Sequence, residues 1–90
     1  MRVIEGFKLR QVADEWIVSG EGVKQTNYNK LISLNSSAAF LWQKVMGGEE
    51  FDAELLAELL TWEFAVDYDT AIADAEDIIA QWLDVKIIEE

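Results

Sequence analysis

"KLISLNSSAAFLW", residues 30–42, decides the fold. It begins with the alternation of a β-strand, with Ile32 and Leu34 on one face and Leu31 and Ser33 on the other. It ends with Ala38, Leu41 and Trp42, joined by Val45, at the i, i+3, i+4 and i+7 spacing of one helical stripe. No glycine or proline separates the two halves. Asn35 or Ser36 carries the step, because either side-chain oxygen can accept from an orphan N–H of the first helical turn. The stretch predicts a strand that runs straight into a helix and keeps an edge free for something else.

Upstream, the chain reads as β. "FKLRQV" alternates, with Phe7 and Leu9 on one face and Lys8 and Arg10 on the other. Asp14 and Glu15 predict a turn into a second short strand, "WIVS", antiparallel to the first. Residues 20–29 read as a polar connection with two glycines.

Downstream, the chain reads as helical. Gly47 and Gly48 stop the first helix. Asp52 caps a second, with Phe51 and Leu56 at the spacing of a hydrophobic staple. Leu55, Leu56, Leu59 and Leu60 supply its apolar face, and "TWEFAV" leads out of it. Asp67 caps a third helix, with Val66 and Ala71 as a second staple pair. Its buried stripe is read as Ala71, Ala75, Ile78 and Trp82, with Ile72, Ile79 and Leu83 beside it; Asp74, Asp77, Gln81 and Asp84 form the wet face. "KIIEE" closes the chain as a short strand. Three strands followed by three helices predict an α+β fold, a small winged helix-turn-helix with a three-stranded antiparallel sheet. Ninety residues predict one domain over 1–90, with Trp16, Trp42 and Trp82 in its core and Trp62 exposed.

Composition removes whole classes of chemistry. There is no cysteine and no histidine, so a thiolate nucleophile, a disulfide, a serine triad and the commonest metal ligands are all missing. "DYDTAIADAED" fails as a calcium loop, because Ala71, Ile72 and Ile78 fall where ligands and the turn glycine belong. No metal, cofactor or catalytic residue is expected, and the chain reads as a non-enzyme. No signal-peptide pattern or long apolar run is present, so a cytoplasmic protein without a membrane partner is expected.

Charge sharpens the choice of partner. The net is −11, and residues 47–90 hold fourteen acidic side chains against one lysine. The third helix has Asp69, Asp74, Glu76, Asp77 and Asp84 with no Lys or Arg. A recognition helix of that charge is repelled by phosphates, so nucleic acid is not the expected partner. A basic peptide or protein face suits it better.

"LISLNSSAAFLW", "GGEEFDAELLAELL", "FAVDYDTAIADAEDII" and "WLDVKIIEE", taken in this order and spacing, resemble the PqqD family over nearly the whole chain. Leu34, Asn35, Ser36, Ser37, Ala38, Ala39 and Trp42 carry the most telling segment. The resemblance implies a module that captures the leader of a ribosomally made precursor peptide and delivers it to a separate modifying enzyme, often a radical S-adenosylmethionine protein. It places the peptide along Lys30, Leu31, Ile32, Ser33 and Leu34, against a third-helix face that includes Ile72, Glu76, Ile79 and Leu83. Family members often have a glycine before the closing apolar pair, where this chain has Val85-Lys86-Ile87-Ile88; the departure bears on the end of the third helix. The alternative is a regulatory protein-interaction module of the same fold. Pairing of the strand edge with a second copy is the other use of that edge.

Overall fold

The computed structural model describes residues 1–20 and 31–90. Chain order is β1 (Arg2–Val3), β2 (Phe7–Val12), β3 (Glu15–Gly20), β4 (Leu31–Leu34), α1 (Ser36–Val45), α2 (Ala53–Phe64), α3 (Tyr68–Asp84) and β5 (Ile88–Glu89). The polar connection expected after Gly20 lies outside the described residues apart from Gly20 itself, which ends β3, and so does Lys30.

The fold is the expected α+β winged helix-turn-helix. β2, β3 and β4 form an antiparallel sheet in that order, with Arg10 opposite Ile17 and Val18 opposite Ile32. Pleating sends Leu9, Trp16, Val18, Ile32 and Leu34 to one face. That face meets the helices: Val18 and Leu34 are buried, while Leu9, Trp16 and Ile32 pack half-buried against the same core.

Each helix starts where its cap predicts. Asn35 Oδ1 accepts from the Ala38 N–H at 2.8 Å, Asp52 Oδ1 from Leu55 at 2.8 Å and Asp67 Oδ1 from Thr70 at 2.8 Å. Such caps contribute about 1 kcal/mol each in typical hosts. The Thr70 hydrogen bonds hold the Asp67 carboxyl below its usual 3.8. The helical stripes then build the core. Ala38, Leu41, Trp42 and Val45 of α1 are buried against Leu56, Ala57 and Leu60 of α2 and Ala71, Ala75, Ile79 and Trp82 of α3. At its centre the Trp82 ring meets Trp42 edge-on at 5.3 Å and Phe51 at 6.4 Å. Trp62 stands 88% exposed, whereas Trp16 is half-buried beside the core rather than within it.

A second sheet was not expected. β1 pairs with β5, Arg2 opposite Glu89 and Val3 opposite Ile88, and the Ile4 N–H extends it to the Ile87 carbonyl at 3.0 Å. The turn that delivers β5 is made at Lys86. Ile87 N–H donates to Trp82 O at 3.1 Å and Lys86 N–H to Leu83 O at 3.1 Å, the double closure of a Schellman C-cap. Lys86 sits at φ +63°, the left-handed position that such a cap gives to glycine. The helix end therefore keeps its geometry and bears the strain of a side chain. Left-handed backbone costs an L-residue roughly 1–2 kcal/mol, of which the added chain entropy of glycine returns part. Lys86→Gly is expected to raise stability by about 0.5–1 kcal/mol, read as a higher urea midpoint at unchanged slope.

Among the described residues, no helix is long and apolar enough to cross a membrane.

Candidate functional site

The site is built on the strand that opened the sequence. β4 pairs with β3 along one edge; among the described residues nothing pairs with its other edge. An unpaired edge exposes a row of N–H and C=O groups. β2 also has an outer edge, but it carries Lys8 and Arg10, and charged side chains discourage strand pairing. β4, "LISL", carries no charge. Leu31 is 74% exposed and points away from the core face. Asn35 ends the strand by capping α1, so the edge is held at a fixed place beside the helices.

Across from this edge lies α3, and a depression of about 310 Å³ separates the two. Ser33, Leu34 and Asn35 form its strand side, and Asp74, Asp77, Ile78 and Gln81 its helix side. Leu34 is buried and Ile78 half-buried, so they give an apolar floor; Asp74, Asp77 and Gln81 are exposed and give a polar wall. A larger depression, about 700 Å³, lies toward β2, with Phe7, Leu9, Trp16 and Met46 in its lining. It is open and apolar, but the strand that borders it is the charged one.

The expected site residues divide in two. Ser33 and Leu34 reach the depression, while Leu31 and Ile32 belong to the same edge strand. Lys30 lies outside the described residues. On α3, Ile72, Glu76, Ile79 and Leu83 do not line this depression. Ile79 is buried in the core, Ile72 and Leu83 pack against it, and Glu76 is exposed. The physical reason is rotational. At about 100° per residue, Ala71, Ala75 and Trp82 mark the centre of the buried face. Asp74, Ile78 and Gln81 fall on one flank of it, whereas Ile72, Ile79 and Leu83 fall on the other. Tyr68 is on this second flank, where desolvation and then the Glu54, Glu58 and Asp52 carboxylates hold its hydroxyl above the usual 10.0. The apolar flank thus faces α2, and the polar flank faces the strand edge. Periodicity located both flanks; the position of the sheet decides between them.

No cluster of metal-ligating side chains is found among the described residues. The unsatisfied buried polar atoms there are Ser19 Oγ and the Trp42 indole nitrogen.

The family model for coenzyme PQQ synthesis protein D (PqqD) matches residues 17–88. The chain belongs to the PqqD family. The match takes in most of β3, all of β4, the three helices and the turn at Lys86, and so spans both walls of the groove. It leaves out β1 and β2, so the second sheet is only partly within the PqqD match. No curated protein matches the chain. Among solved structures it is similar to TbiB1 in complex with the TbiA(beta) leader peptide, with a TM-score of 0.75 and 16% identity. The similarity covers 99% of this chain and 95% of that one, so the two share the whole fold.

Proposed function

We propose that this protein is a non-catalytic peptide chaperone: it captures the leader of a ribosomally made precursor peptide by strand addition at β4. The captured leader is then presented to a separate modifying enzyme, for which a radical S-adenosylmethionine protein is the leading candidate. The observation that carries this reading is the uncharged edge of Leu31–Leu34, unpaired among the described residues and facing the α3 groove. PqqD membership and the shared fold with a protein solved with a leader peptide support it. Main-chain hydrogen bonds to the edge supply affinity, and the groove reads alternate side chains of the added strand. Residues 1–90 act as one domain in this reading. The chain works as a partner rather than as an enzyme, in the cytoplasm, where precursor and modifying enzyme meet.

The test is a titration. The leader is synthesised from a short reading frame beside the gene and added to isotope-labelled protein while backbone amides are followed. Shifts are expected in residues 31–35 and along α3 at Asp74, Asp77, Ile78 and Gln81. A correct leader that moves none of these amides overturns the proposal. If instead the edge pairs with a second copy, line widths and mass rise with protein concentration, and an added leader reverses both.

A further inference from the structure

We infer that the groove selects peptide strands that present a lysine or arginine toward α3, with an apolar side chain two residues away on the same face. This rests on the reading of β4 as a strand-addition site and names the chemistry of its occupant.

The carboxylates of Asp74 and Asp77 stand across the depression from the open main-chain edge. Among the described residues neither is ion-paired, and α3 itself contains no Lys or Arg. Among the described residues the other polar groups lining the depression, including Ser33, Asn35 and Gln81, are neutral, so the charge they give it is that of the two aspartates. Three residues of helix rise about 4.5 Å, which lets one cation sit between both carboxylates. An acidic surface alone attracts any cation. What singles out this pair is its place beside a row of backbone groups that fix an incoming strand, so the cation must arrive at a set register. In an extended peptide, every second side chain shares a face, about 6.6–6.8 Å apart. A basic side chain directed at Asp74 and Asp77 therefore has its same-face neighbours two residues away. The floor that awaits a neighbour is Leu34 and Ile78, which favours an aliphatic or aromatic group. An acidic side chain at the facing position meets two like charges and is rejected.

Random 12-residue peptides displayed against the full chain test this without a known leader. Selected peptides are expected to carry Lys or Arg at one position and an apolar residue two away, and to shift amides of residues 31–34. The double variant Asp74→Lys/Asp77→Lys loses two attractive contacts and gains two repulsive ones, which is expected to weaken the selected peptide roughly tenfold. Replacing the peptide's basic residue by Glu should restore binding to that variant. Glu54→Lys/Glu58→Lys makes the same change in net charge on α2 and should alter affinity by less than about twofold if the effect is local. Equal losses in the two double variants overturn the inference, since the attraction is then only that of net charge. Edge-binding peptides with no basic enrichment also overturn it while leaving strand addition standing. If no selected peptide touches residues 31–34, strand addition and the inference fall together.

Discussion

Trp82→Ala is expected to remove about 3–5 kcal/mol of folding stability, the usual range for deleting a buried aromatic. Trp82 is 2% exposed and holds the centre of the core. Its ring meets Trp42 at 5.3 Å and Phe51 at 6.4 Å, both edge-on. Such pairs contribute roughly 0.5–1.5 kcal/mol beyond the area they bury. Alanine leaves a void between α1, α3 and the segment before α2, and rigid neighbours close it only in part. A domain of this length has roughly 5–13 kcal/mol in all, so the loss is a large share of the total. Urea unfolding should show a much lower midpoint with little change in slope. Trp62→Ala is the control: at 88% exposure it should stay within about 0.5 kcal/mol of the parent. A Trp82 variant as stable as the Trp62 variant would mean that the described core is wrong.

What was legible in the sequence was local. Asn35, Asp52 and Asp67 announce helix starts because a cap needs only a short polar side chain and the N–H three residues on. "LISLNSSAAFLW" announces its strand and helix because each has its own period. What was missed depends on contacts across the chain. β1 is two residues long, and its partner β5 lies at the other end of the sequence, so no window of sequence contains the pairing. The two flanks of α3 are a different case. Both are visible in the periodicity, and the family resemblance points to the one with Ile72, Glu76, Ile79 and Leu83. Ile72, Ile79 and Leu83 pack in or against the core, whereas the depression beside β4 is lined by Asp74, Asp77, Ile78 and Gln81. Lys86 shows a further limit: the Schellman turn is set by the need to place Ile87 and Ile88 in the core, and that packing tolerates a strained lysine.

Ile32→Pro is expected to weaken peptide capture at least tenfold, and it tests the mechanism more directly than any side-chain change. In an antiparallel pair, alternate residues turn both backbone groups toward the partner strand, and the residues between them turn both away. In β4, Ile32 and Leu34 therefore share one direction, and Leu31 and Ser33 the other. Proline removes the N–H and places a ring where that hydrogen lay. Of Ile32→Pro and Ser33→Pro, one strikes the open edge and the other the ladder to β3. The variant struck at the edge keeps its melting temperature, because proline is tolerated on an edge strand, yet loses the donor and clearance that an added strand needs. The variant struck at the ladder loses both stability and capture, because β4 no longer lies flat against β3. Each lost hydrogen bond is worth only about 0.5–1.5 kcal/mol net, so a tenfold loss requires the ring to obstruct the neighbouring bonds as well. The leader titration repeated on both variants, with thermal melts alongside, separates the two cases. If the variant that keeps its melting temperature binds with parental affinity, the leader does not pair with β4, and the open edge has another use.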